Sequence, residues 1–278
     1  MKGEAKEAAK EVAKEVAKEV AKGGVQSVEV GMGLLKALAA MGGHASLNEL
    51  STAVTMHPAK AHRYLTSLVN TGFVARTAHG RYDLGPYGLE FSTLFLSRLD
   101  PTSVASDSIE ALRDRTEEGV ILTVWGSAGT TVIRWFQSRR PISVGIRPGT
   151  NFSTTMSASG RVFMAHLPRE LIRPLVEKEL AAFREQPHKL APGNWEEVAE
   201  IIDETRQSGL GRVLGHSVEG VSSLAAPIFD YRGELVLSLA LFGFKSRFDA
   251  AWDGRNAQLL RQTAGDISAQ LGYLPAAV

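Results

Sequence analysis

The stretch that most constrains this chain runs from Ser46 to Tyr82, SLNELSTAVTMHPAKAHRYLTSLVNTGFVARTAHGRY. Ser46 suits a helix N-cap, and Glu49 three residues later completes a capping-box pattern. Leu47, Leu50 and Val54 follow at helical spacing. Thr55-Met56-His57 breaks that spacing, and Pro58 fits the first turn of a second helix, where its missing N–H costs nothing. Ala61, Leu65, Leu68 and Val69 form the apolar stripe of the second helix, while Lys60, His62, Arg63, Thr66 and Ser67 point elsewhere. Gly72 stands where a left-handed residue most easily ends a helix. Phe73–Arg76 and Arg81–Leu84 read as two short strands around Ala78-His79-Gly80, a hairpin. Helix, turn, helix and basic hairpin make the layout of a winged helix-turn-helix.

The charge agrees with that layout. No Asp or Glu occurs between His57 and Tyr82, whereas Lys60, Arg63, Arg76 and Arg81 all do. An acid-free basic face suits phosphate contact, and a helix presenting short polar side chains suits a major groove. The set expected to face DNA is Ser46, Lys60, His62, Arg63, Thr66, Ser67, Arg76, His79 and Arg81. The formal net charge of the chain is only +1, so the basic character is local. A plainer reading keeps these helices as a scaffold for a sensory module that binds ligand and protein but no DNA.

Along the chain, residues 2–22 repeat Ala, Lys, Glu and Val or Ala every four positions. Glu7, Glu11, Glu15 and Glu19 each precede a Lys by three, a helical pattern. Such regularity reads as an appended, non-native helix covering 1–24. Val25 to Met41 carries Val28, Met32, Leu35, Leu38 and Ala39 at helical spacing and opens the DNA-binding unit, taken as 25–85. From 86 to 100, Leu89, Phe91, Leu94, Phe95, Leu96 and Leu99 make a helix apolar on more than one side. That suits a linker helix packed on its own chain and on a second copy.

From 101 to 278 the pattern becomes mixed. Helices are expected over 104–115, 157–167, 168–183, 194–207 and 253–271. Strands are expected over 120–125, 131–136, 142–146, 213–218, 222–229 and 234–242. Strands and helices without a repeated alternation indicate an α+β fold. By alternation on the second strand, Arg134 shares a face with Val132 and Phe136, where a guanidinium could clamp a carboxylate.

Cysteine is absent, which rules out disulfides, thiolate metal sites and cysteine nucleophiles. The seven His are scattered, and His57 and His62 miss the i,i+4 ligand spacing, so no metal or cofactor is expected. Ser157-Ala158-Ser159-Gly160 lacks the nucleophile elbow and Gly209-Leu210-Gly211 makes a poor dinucleotide fingerprint, so no catalytic residue is assigned. With no apolar run of about 18 residues and no signal-peptide pattern, a cytoplasmic protein without membrane partners is expected.

In this order the pieces resemble the IclR family of bacterial transcription regulators. The quoted helix-turn-helix carries Arg63 at the family's recurrent arginine and Lys60 where Thr is usual. GTNFSTTMSASGRVFMAHLP, residues 149–168, is similar to the family's Gly-rich segment running into a helix. GVSSLAAPIFDYRGELVLSLALFG, residues 220–243, is similar to its closing strand pair. The resemblance implies a winged helix-turn-helix joined by a linker helix to a GAF-like effector-binding domain. Homodimers, their pairing into homotetramers, double-stranded operator DNA and a small organic acid effector are implied as partners.

Carried over position by position, the effector pocket comprises Val144, Phe152, Met156, Ala158, Ser159, Ser223, Ala240 and Phe242, with Arg134 as the candidate clamp. Ala158-Ser159 at a helix start would offer backbone N–H groups to a carboxylate. Ser223 stands where relatives often carry Cys, and Ala240 and Phe242 replace polar positions. An apolar wall with a polar end favours an aromatic carboxylate, and with it control of a catabolic operon. Regulation of small aliphatic keto acid metabolism is the alternative.

Overall fold

The structure is a computed structural model and describes residues 24–97, 100–139, 145–215, 218 and 220–274. The helical repeat expected over 1–24 lies outside them except for Gly24. The chain divides into two compact units that part after residue 99.

In the first unit, α1 (Gln26–Ala40) leads to a two-residue strand β1 (His44–Ala45), then α2 (Leu47–Ala53) and α3 (Pro58–Asn70). The wing follows as β2 (Val74–Arg76) and β3 (Tyr82–Leu84), and α4 (Pro86–Ser97) closes the unit. The expected capping box is present. Ser46 Oγ accepts from the N–H of Glu49, and the Ser46 N–H donates to the Glu49 carboxylate at 2.7 Å. Between α2 and α3, Thr55 takes φ 51°, a left-handed conformation that is costly for a β-branched residue. Leu34, Leu38, Leu50, Ala61, Leu65, Val74 and Tyr82 form one buried core, so the apolar stripes of all three helices meet beneath the wing. The strand β1 is not legible at two residues. It pairs antiparallel with β3, His44 against Asp83 and Ala45 against Tyr82, and makes the wing a three-stranded sheet ordered β1-β3-β2.

The second unit begins with α5 (Pro101–Thr116), capped by Asp100, and continues with β4 (Gly119–Gly126) and β5 (Gly129–Phe136). Next come β6 (Asn151–Phe152), α6 (Ala158–His166), α7 (Arg169–Glu185) and α8 (Trp195–Ser208). The chain then returns as β7 (Gly211–Leu214), β8 (Val221–Phe229) and β9 (Leu235–Phe244), and ends in α9 (Arg255–Gln270). One antiparallel sheet results, ordered β6-β5-β4-β9-β8-β7. Two points differ from the sequence reading. Of the strand expected over 142–146, residues 142–144 lie outside the described residues and 145–146 are not strand; the edge strand is β6 instead. The strand expected over 213–218 starts and ends earlier, at 211–214.

Each face of the sheet is covered. Val120, Leu122, Leu224, Ile228, Leu239 and Leu241 alternate onto one face and are buried to 2% exposure or less, the side on which α5 and α9 pack. Ile121, Val132, Val213, Ala225, Ala240 and Phe242 alternate onto the other, where they pack with Ala158 and Val162 of α6. Fully burying one such aliphatic side chain is worth about 2 kcal/mol, so this two-sided coverage fixes which residues face α6.

Candidate effector pocket and DNA-facing surface

The face that meets α6 is not closed along its whole length. A cavity of about 60 Å³ lies there, walled by Ile121, Ile146, Phe152, Val213, Val218, Val221, Ala240 and Phe242, with Ser157, Ala158, Ser159 and Ser223 as its other lining. Phe242 lies across Gly119 on the paired strand, and a Cβ at 119 would meet its ring. That glycine is what lets a phenyl ring lie low enough to leave space above the sheet. The cavity is apolar except at Ser223 and at the start of α6. There Ser157 caps the helix, its Oγ accepting from the N–H of Gly160 at 3.0 Å. The cap uses the N–H of Gly160, and the other first-turn N–H groups, those of Ala158 and Ser159, stand at the positive end of the helix dipole, a setting that favours a carboxylate.

The start of α6 is held in place from two sides. Glu179 on α7 accepts from Ser153 Oγ, the N–H of Thr154, and the N–H and hydroxyl of Thr155. Arg161, 6% exposed, donates to the carbonyl oxygens of Thr155 and Arg212 at 3.2 and 2.7 Å. Burial pushes the Arg161 guanidinium down to about 10, with Glu204 acting in the opposite direction. A buried cation satisfied by backbone carbonyls is a structural clamp, here joining α6 to β7. Its partner Arg212 lies 51 residues along the chain, so only the fold shows which carbonyls Arg161 reaches.

Of the pocket positions carried over, Phe152, Ala158, Ser159, Ser223, Ala240 and Phe242 are brought together around the cavity. Met156 is buried at 4% just before α6. Val144 lies outside the described residues. Arg134 is placed elsewhere. It is exposed, and its guanidinium donates to the carbonyl of Ile133. The reason is a register shift in the β4–β5 pairing, where Leu122 faces Arg134 but Thr123 faces Val132. Ile133 is the extra residue of this bulge, and it reverses the alternation beyond it. Trp135, not Arg134, therefore shares the face of Val132 and packs on the pocket cluster.

In the first unit, Lys60, His62, Arg63, Thr66 and Ser67 are all exposed on α3, and Arg76 and His79 are exposed on the wing. Thr66 and Ser67 hydroxyls donate back to the carbonyls of His62 and Arg63. Among the described residues, Lys60, Arg63 and Arg76 have no ion-pair partner. Arg81 differs, since its guanidinium donates to Glu49 at 2.8 Å. Ser46 is likewise engaged, as the cap of α2. The Glu49 carboxyl, held below its ordinary value by the Ser46 N–H and hydroxyl and then by Arg81, ties the wing to the start of α2.

No helix among the described residues is long and apolar enough to cross a membrane. Residues 27–78 match the IclR helix-turn-helix domain, and residues 93–269 match the bacterial transcriptional regulator IclR C-terminal domain. The chain is similar to the HTH-type transcriptional regulator KipR of Bacillus subtilis, 25% identical over 82% of this chain and 90% of that protein. It is 26% identical to the HTH-type transcriptional regulator KdgR of Dickeya chrysanthemi, over 90% of this chain and 81% of that one. Among solved structures, Pseudomonas aeruginosa HmgR superposes with a TM-score of 0.82 at 33% identity, over 91% of this chain and all of that chain. The chain belongs to the IclR family of bacterial transcriptional regulators, with a DNA-binding helix-turn-helix followed by an effector-binding C-terminal domain.

Proposed function

We propose that the effector is a small organic acid, an aromatic carboxylate, and that the regulator controls a catabolic operon in response to it. The observation that supports this is the pocket's composition. Apolar walls of Ile121, Ile146, Phe152, Ala240 and Phe242 end at the first turn of α6 and at Ser223, which suits a flat apolar body with one anionic end. A cavity of about 150 Å³ houses benzene, so a volume of about 60 Å³ has to widen around an aromatic ring. Widening on binding is itself a route to signalling, since a ligand that fits only the open form shifts the population toward it. The unexpanded volume favours a second reading, a small aliphatic keto acid. Titration calorimetry with a panel of aromatic and aliphatic carboxylates separates the two. Saturable binding of aromatic members is expected, and binding confined to two- or three-carbon acids overturns the first reading.

DNA recognition is assigned to α3 and the wing, with Lys60 and Arg63 on the helix and Arg76 and His79 on the hairpin. A labelled-DNA shift assay on the region upstream of the regulator's own gene tests this.

The working unit is proposed to be a homodimer joined through α4. Leu89, Phe91 and Phe95 on that helix are 73%, 58% and 56% exposed. Contiguous exposed apolar groups of this kind mark an interaction site, and a second copy offers a surface of the same character.

A further inference from the structure

On the pocket face of the sheet, β5 lies between β4 and β6. Ile121 of β4 and Phe152 of β6 both line the cavity, and Trp135 on the intervening strand sits directly opposite Ile121 in the pairing. Its ring packs against the cluster that walls the cavity. Yet the indole Nε1–H is buried and has no hydrogen-bond partner among the described residues. A buried donor without an acceptor costs about 1–3 kcal/mol, and Trp is normally placed where that N–H finds a partner. Phenylalanine would pack on Ile121 as well without this cost.

We propose that the Trp135 indole N–H is a hydrogen-bond donor of the effector site, so that the effector carries a second oxygen acceptor away from its carboxylate. The assignment rests on the reading of this cavity as a carboxylate site. The carboxylate occupies the start of α6 beside Ser223, over β8, and the second acceptor lies over β5. Strands sit about 4.8 Å apart, so an effector reaching toward Trp135 from that end is elongated across the sheet. The cavity as it stands is lined by Ile121 and Phe152 on the flanking strands and not by Trp135, and widening around such a ligand brings Trp135 into its wall. The acceptor is a hydroxyl, carbonyl or second carboxylate oxygen, which an indole N–H recognises without charge.

The test uses matched carboxylates differing by one oxygen, benzoate with 4-hydroxybenzoate, phenylacetate with 4-hydroxyphenylacetate, and butanoate with 4-hydroxybutanoate. Calorimetry on the full chain is expected to show the oxygenated member of at least one pair binding about tenfold more tightly, the worth of one good hydrogen bond. Trp135→Phe is expected to reduce that preference to within about twofold. As a measurement independent of this variant, the chain's four Trp give four indole N–H resonances in an ¹⁵N-labelled sample. The Trp135 resonance, assigned by elimination from Trp125→Phe, Trp195→Phe and Trp252→Phe, is expected to move downfield with the oxygenated ligand alone. Binding that keeps its preference in Trp135→Phe, or an unmoved Trp135 resonance at saturation, overturns this assignment and leaves the carboxylate site standing. Failure of every ligand to bind the unaltered protein overturns both.

Discussion

The carboxylate of Glu179 accepts both the N–H and the hydroxyl of Thr155, at 3.0 and 2.7 Å, from a helix 24 residues further along the chain. It also takes the Ser153 hydroxyl and the Thr154 N–H, so one side chain on α7 organises the whole segment leading to the start of α6. Glu179→Ala would leave several polar groups of a part-buried segment unsatisfied. A loss of about 2–3 kcal/mol in stability is expected by denaturant titration. Effector affinity should fall with it, by about tenfold, because the first-turn N–H groups of α6 lose their fixed position.

Arg161 is the second anchor of that segment. Arg161→Met keeps the bulk of the stem but removes the two bonds to the carbonyls of Thr155 and Arg212. The expected cost is about 3 kcal/mol in thermal or chemical unfolding. Arg161→Lys should recover less than half of it, since Nε and Nη1 reach the two carbonyls from separate positions and an ammonium group offers a single nitrogen.

The basic residues of the first unit divide into two groups. Arg63→Ala and Lys60→Ala each remove an exposed cation with no ion-pair partner among the described residues, so operator affinity should fall without loss of fold. The slope of log affinity against log salt should become shallower by about 1 for each phosphate contact removed. Arg81→Ala should instead lower the melting temperature, because Arg81 is paired with Glu49. A salt slope changed more by Arg81→Ala than by Arg63→Ala would contradict this division.

The Glu49 carboxyl titrates below its ordinary value of 4.5 in the folded protein. Its depressed value means that the folded state favours the ionised form. The stabilisation is therefore complete above about pH 4.5 and disappears as the pH falls through the lower folded value. Melting curves between pH 6 and 3 should show a steeper acid loss for the native sequence than for Glu49→Gln. The difference should stay near 0.5 kcal/mol, since both partners of the Arg81 pair are solvent-accessible.

Light scattering tests the α4 surface. The unaltered chain is expected at twice its 30.0 kDa mass. Leu89→Glu and Phe95→Glu place a charge on side chains already exposed in one copy, so they should yield folded monomers. Dimers that persist in the double variant would remove α4 from the interface.

Local chemistry determined much of the first unit. The Ser46–Glu49 box, Pro58 at a helix start, and Gly72 at φ 78° act within a few residues of themselves, and each is where the sequence puts it. The apolar and polar sides of α3 follow from the helical period alone, which is why Lys60, His62, Arg63, Thr66 and Ser67 are exposed together. The six pocket positions around the cavity were legible through family resemblance, because their spacing matches segments whose fold is shared. What the sequence could not show depends on contacts between distant segments. A bulge at Ile133 leaves no mark in composition, yet it turns Arg134 outward and Trp135 inward by shifting the strand parity one residue. Likewise the pairing of Arg81 with Glu49, 32 positions away, and of Arg161 with the Arg212 carbonyl, 51 away, exists only once packing brings them together. Period and capping are properties of neighbouring residues, whereas the partner of a charge and the face of a residue beyond a bulge are set by the tertiary structure.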